Sequence, residues 1–216
     1  MTTPPKISTV LFDLDGTIID TNQLIIDSFM NAMSDIPLTR ETIIPHMGTT
    51  LQNQLQVFSG LEDVRELEQA YRQYNLAHHD SMVKPFPHVQ EVIQTLHASG
   101  IRLGVVTTKI RPTTMKVLDM FDLTSYMEAI VTVTDVTHPK PHAEPVQMAL
   151  EKMGVDPKTA LMVGDSPADI QSAQNAGVYA AAVAWSLKGE AVLSGYNPDH
   201  IIRDMRDLYA LTGTGA

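Results

Sequence analysis

The sequence predicts an α/β protein, a doubly wound parallel sheet with a block of helices inserted after its first strand. Three observations support this. Four short apolar runs, at 8–12, 103–106, 160–163 and 180–183, each end at polar residues. Helical patterns separate the later runs, and the stretch from about 22 to 82 reads as helix after helix with no convincing strand. Runs this brief read as parallel strands covered on both faces by helices. Their alternation with helices predicts an open sheet.

The first run leads directly into Asp13. The insertion follows, with Leu24, Ile25, Ser28 and Phe29 on one helical face and Leu51, Leu55 and Phe58 on another. A charged helix then runs through Glu62 to His79, where the adjacent His78 and His79 read as surface residues. Pro85 and Pro87 form a stiff hinge before the strand-helix pattern resumes. The expected division is therefore a core of residues 1–18 and 84–216 and a helical domain of residues 19–83. Ligands sit outside the carboxyl ends of such strands, so an insert at that point would cover the site as a lid.

Beyond the hinge, Val92, Ile93 and Leu96 mark a helix that stops at Gly100, and further helices are expected at 112–120 and at 145–153, the latter ending at Gly154. The apolar stretch 176–185 reads as a buried strand in preference to a membrane span, being far short of the roughly 20 residues a spanning helix needs. The small residues at 212–216 read as a frayed tail.

Composition narrows the chemistry. Of 216 residues, 44% are hydrophobic and 19% charged, which fits a globular protein. The 25 acidic and 15 basic residues give a formal charge of -10, which argues against a bulk binder of nucleic acid or anionic membrane but leaves room for a local anion site. Cysteine is absent, which removes disulfides, thiolate metal sites and cysteine nucleophiles and fits a reducing, cytoplasmic setting. No export signal is evident, and the eight histidines show no recurrent metal-ligand spacing.

The residues that carry chemistry cluster at expected strand ends. In Asp13-Leu14-Asp15-Gly16-Thr17 the alternation of an extended chain puts both carboxylates on one side, and Gly16 permits a sharp turn. One acid can act as nucleophile and the other as proton shuttle, with a divalent cation suppressing their repulsion. The competing reading is a plain Asp-Gly turn. Asp165 and Asp169, in Gly164-Asp165-Ser166-Pro167-Ala168-Asp169, can join Asp13 in an all-oxygen site suited to magnesium, or Ser166 and Asp165 can serve only as a helix cap. Thr107 and Thr108 end the second core strand, where a hydroxyl and free N–H groups can hold a phosphoryl oxygen. Lys140 is stiffened by flanking prolines, although an isolated lysine more often faces solvent.

In this order, DxDGT, Thr107, Lys140 and GDxxxD resemble the four motifs of the haloacid dehalogenase-like superfamily over nearly the whole chain, whose core is Rossmann-like. The resemblance implies that Asp13 attacks phosphorus to form an aspartyl-phosphate and that Asp15 protonates the leaving group and then activates water. It implies Mg²⁺ held by Asp13, the Asp15 carbonyl and Asp165, with Asp169 direct or one shell out, and a phosphoryl group bound by Thr107 and Lys140. Asp15 favours phosphate chemistry over dehalogenation. The stretch from His46 to Leu51 lacks the arginine of a phosphosugar mutase loop, which ranks hydrolysis above mutase activity. A non-turnover phospho-acceptor module is disfavoured by Asp15 and the lid, and a dinucleotide enzyme by the missing G-x-G-x-x-G turn.

Residues 107–111 and 183–189, with the helical insert, are similar to a pyrophosphatase branch of the phosphoglycolate-phosphatase-like subgroup. That implies inorganic pyrophosphate as substrate, with phosphoglycolate or another small phosphomonoester as the alternative. The expected partner is thus a small anionic phosphate, with no nucleic acid and no membrane, and the sequence names no protein partner. Gly16, His46, Gly48, Lys109 and Lys188 are expected near the substrate, with Arg111 either there or on a solvated helix face. Trp185 reads as packing.

Overall fold

The computed structural model describes residues 6–214; the last two residues of the expected tail lie outside the described residues. Six strands form one parallel sheet: β1 (Thr9–Phe12), β4 (Arg102–Val106), β5 (Ala129–Val131), β6 (Ala160–Gly164), β7 (Tyr179–Val183) and β8 (His200–Ile202), in the order β5-β4-β1-β6-β7-β8. β1 is central, with Leu11 opposite Gly104 of β4 and Met162 of β6. The chain first builds outward through β4 and β5 and then crosses to β6 on the other side of β1. The switch point between β1 and β6 is where such sheets bind ligands.

Alternation along the strands divides the core in two. Val10, Phe12, Leu103, Val105, Leu161, Val163, Ala181 and Val183 pack on one face with α5 (Val89–Ala98), α6 (Arg111–Met120) and α10 (Asp207–Thr212). Leu11, Val106, Ala160, Met162, Ala180 and Ala182 pack on the other with α7 (Glu144–Met153), α8 (Pro167–Ala176) and α9 (Glu190–Ser194). Both faces of every central strand are therefore dry, which is why the runs read as continuously apolar.

The four expected strands are present. β5 and β8, of three residues each, are additional to them; both are edge strands too short to leave an apolar run. The hinge also carries structure that the prolines conceal. β2 (Ile19–Asp20) pairs antiparallel with β3 (Lys84–Pro85), so the two crossings into and out of the helical block are tied together. The expected frayed tail is corrected at Thr212, which is buried at the end of α10 with its hydroxyl bonded to the Leu208 carbonyl at 2.7 Å.

The helical block comprises α1 (Asn22–Ala32), α2 (Arg40–Ile43), α3 (Leu51–Ser59) and α4 (Arg65–Met82). It has its own apolar cluster around Ile26, Phe29, Ile43, Leu55 and Val64, with the Phe29 ring 5.3 Å from Phe58 and 4.7 Å from Tyr71. α4 packs along α1, and Asn75 Nδ2 donates to Ser28 Oγ at 3.2 Å. This buries His79 completely, contrary to its expected surface position, because the charged composition of α4 conceals one covered face. Trp185 is packing, as expected: its ring lies 5.9 Å from Phe86 and its Nε1 donates to the Thr17 carbonyl at 3.3 Å.

Candidate active site

The ends of β1, β4 and β6 converge on one cavity of about 510 Å³, lined by Asp13, Asp15, Thr107, Thr108, Lys109 and Asp165 from the sheet side. Asp13 continues the ladder, its N–H donating to the Val163 carbonyl at 2.9 Å, so its backbone is fixed by the sheet itself. Thr107 is fixed in the same way, donating to the Val131 carbonyl at 2.9 Å, and its hydroxyl accepts the Lys109 N–H at 3.1 Å. Gly16 turns the chain at φ 81°. A Cβ there would lie 2.6 Å from Asp165 Oδ2, so the turn brings backbone against the second acid as only glycine permits.

Lys140 does not face solvent. It is 4% exposed, and its Nζ donates to Asp13 Oδ1 at 2.7 Å, Asp169 Oδ1 at 2.5 Å and the Val106 carbonyl at 3.0 Å, which accounts for all three ammonium hydrogens. Burial alone would lower its pKa, but Asp13 and Asp169 more than offset this and hold it above the ordinary lysine value. Asp169 also caps a helix, because its Oδ2 accepts from the Ser166 N–H at 3.0 Å and the Ser166 hydroxyl at 2.6 Å, closing a capping box at the start of α8. The N-cap of α8 is thus Ser166 and not Asp165, with Asp169 as its partner in the capping box.

Burial pushes the Asp13 carboxyl well above the usual range, with Lys140 pulling against it, and pushes Asp165 up to about 6 against a weaker pull from Lys188. Lys188 Nζ is 3.9 Å from Asp165 Oδ2, and its side chain is almost entirely buried beside the acid, outside the cavity lining. One oxygen each from Asp13, Asp165 and Asp169 lie within 4.8 Å of one another. The set is all-oxygen, hard and short of positive charge, so it fits a divalent cation such as magnesium. Asp169 is already committed to Lys140 and Ser166, which leaves Asp13 and Asp165 as the open carboxylate donors.

On the opposite wall stand residues of the helical block, among them Met47, Gly48, Thr50, Glu68, Tyr71 and Arg72. Gly48, at φ 99°, makes the close approach, since a Cβ there would lie 2.6 Å from Ser166 Cβ. Lys188 is not alone among the expected neighbours in lying outside the lining; His46 and Arg111 do so too. His46 is exposed, with its ring 5.3 Å from Phe58, because the 3₁₀ turn that carries it points away from the cavity. Arg111 opens α6 and pairs with Asp135 at 2.7 Å and the Ile130 carbonyl at 2.8 Å, outside the cavity lining.

The fold also gathers what sequence spacing does not reveal. Glu68, Tyr71 and Arg72 read in sequence as part of a solvated charged helix; the i,i+4 spacing of Glu68 and Arg72 is legible, the direction they face is not. His138, His142 and Glu144 converge on the surface around the Lys140 loop. There His138 Nδ1 bonds Glu144 at 2.9 Å and His142 Nδ1 accepts the Glu144 N–H at 3.1 Å, so the cluster is closed by hydrogen bonds that brace the loop.

Comparison with known proteins gives the family. The family model described as haloacid dehalogenase-like hydrolase matches residues 10–183. The chain is similar to the pyrophosphatase PpaX of Bacillus cereus (strain AH820), with 45% identity over 94% of this chain and 95% of that one. It is similar to the PpaX of Anoxybacillus flavithermus (strain DSM 21510 / WK1) at 41% identity over 96% and 98% of the two chains. Among solved structures, a hydrolase of the haloacid dehalogenase-like family from Streptococcus pneumoniae superposes with a TM-score of 0.83 at 25% identity, covering 94% of this chain and 97% of that one.

Proposed function

The chain belongs to the haloacid dehalogenase-like hydrolases, and from that premise we propose that it hydrolyses inorganic pyrophosphate, with magnesium, through an aspartyl-phosphate on Asp13. The observation that carries the chemistry is the pair of strand-end carboxylates, Asp13 bonded to Lys140 and Asp15 bonded to Lys109. The substrate reading rests on the PpaX relatives at 41% and 45% identity over nearly the whole chain. Residues 19–83 act as a cap on a core of residues 1–18 and 84–216, with β2 and β3 as the paired hinge.

In this reading an Asp13 carboxylate oxygen attacks one phosphorus, and the bond from that phosphorus to the bridging oxygen breaks. Asp15 gives its proton to the departing phosphate. It then takes a proton from the water that attacks the phosphoaspartate, so phosphate leaves and Asp13 is restored. Lys140, expected to bind the phosphoryl group, has its three hydrogens taken by Asp13, Asp169 and the Val106 carbonyl and instead fixes the orientation of Asp13, while Thr107 and Thr108 offer hydroxyls to the transferring oxygens. Asp13, Asp165 and the Asp15 carbonyl would hold magnesium, which supplies neutralisation of oxygen charge as phosphoryl transfer proceeds.

The test is phosphate release from pyrophosphate, phosphoglycolate, sugar phosphates and nucleotides, with and without magnesium. Pyrophosphate is expected to have the highest kcat/KM, and chelation to abolish turnover. Phosphoglycolate turnover well above that of pyrophosphate would overturn the substrate assignment.

A further inference from the structure

Only two cations line the cavity among the described residues, and they stand on opposite walls: Lys109 follows β4, and Arg72 lies on α4. Each is held by a carboxylate of the same cavity. Lys109 Nζ donates to both oxygens of Asp15, at 3.0 and 3.1 Å. Arg72 Nε donates to Glu68 Oε1 at 3.0 Å, and its Nη2 bonds the same oxygen, so part of the guanidinium fork remains unspent. The Arg72–Glu68 pair is about one-third exposed on each side, a class of ion pair that contributes little and exchanges readily. A doubly charged anion offers both cations a stronger partner than either carboxylate.

We infer that Arg72 and Lys109 form a two-walled subsite for a second anionic group, so that the protein takes small phosphates bearing another anion close to the scissile bond. The inference rests on the reading of Asp13 as phosphoryl acceptor, because it assigns Arg72 and Lys109 to the leaving side. The transferring phosphoryl group has its own donors in Thr107 and Thr108, whereas nothing else cationic in the lining faces the leaving group. Tyr71, beside Arg72 in the lining, is kept protonated by burial and by the charge of Asp15, and adds a neutral donor. A cavity of about 510 Å³ walled by Ile25, Met47, Leu51 and Leu76 suits a small molecule, not a polymer.

The experiment compares pyrophosphate and phosphoglycolate, which carry a second anion, with phenyl phosphate, which does not. Arg72→Met is expected to lower the ratio of kcat/KM for pyrophosphate to that for phenyl phosphate by roughly 10- to 100-fold, with partial recovery in Arg72→Lys. Glu68→Gln, which releases the guanidinium, should raise the same ratio. A ratio unchanged within about twofold in Arg72→Met, or lowered in Glu68→Gln, overturns the subsite. So does a wild-type protein that turns over phenyl phosphate as well as the other two. If the wild type prefers phosphoglycolate and Arg72→Met erodes that preference, the pyrophosphate assignment falls while the subsite stands.

Discussion

Asp165 shows most directly what burial does to a single side chain in this site. Its folded pKa of about 6 lies above the unfolded aspartate value of about 3.9, so between those values the folded state binds more protons than the unfolded one. Stability from this group is therefore present at low pH and is lost as pH rises from about 4 to about 6. In chelator-containing buffer, Asp165→Asn should gain on the wild type across that window by up to about 3 kcal/mol, read as a growing difference in denaturation midpoint. Magnesium should then raise the wild-type midpoint and leave the variant unmoved; a pH-independent difference would contradict the assignment. The acids and Lys140 are legible in the sequence because strand ends announce themselves as polar residues after an apolar run. Arg72 and Glu68 are not, since the apolar positions of α4, such as Leu67 and Tyr71, mark only the face that packs on the helical block, and a polar residue beside that face reads as solvated. The burial of His79 is hidden for the same reason.

Elements set how close the two walls of the cavity come. The loop from Met47 to Thr50 touches the core at Gly48, where a Cβ would lie 2.6 Å from the Ser166 side chain and where φ is 99°. Gly48→Ala should thus strain the backbone and push the loop off Ser166, at a cost of about 1–3 kcal/mol. The expected result is a raised KM together with a lowered melting temperature; an unchanged KM would mean that this contact does not shape the site. The four central strands are legible because both of their faces are buried. β5 and β8 are not, because three-residue edge strands carry little pattern, and the two-residue ladder of β2 and β3 carries none. The hinge prolines are visible, yet the pairing they support joins Ile19 to Pro85, a partner so distant in the chain that local pattern cannot reveal it.

At the scale of the whole molecule, strand order explains why a chain of net charge -10 can present an anion site. Crossing from β5 to β6 opens the sheet beside β1, and the loops at that opening bring Asp13, Asp15, Asp165 and Asp169 together with Lys109, Lys140 and Lys188. The lysines compensate the acids locally, and magnesium would complete the balance, so the acidic excess elsewhere sets solubility without closing the site to phosphate. The most direct measurement of the central claim is acid quenching during turnover of radiolabelled pyrophosphate, followed by mapping of the covalent label. One phosphoryl group is expected on Asp13 in the wild type, and in a folded Asp13→Asn protein no label and activity lowered at least about 10³-fold. Turnover without any covalent label, or near-normal activity in Asp13→Asn, would contradict that claim.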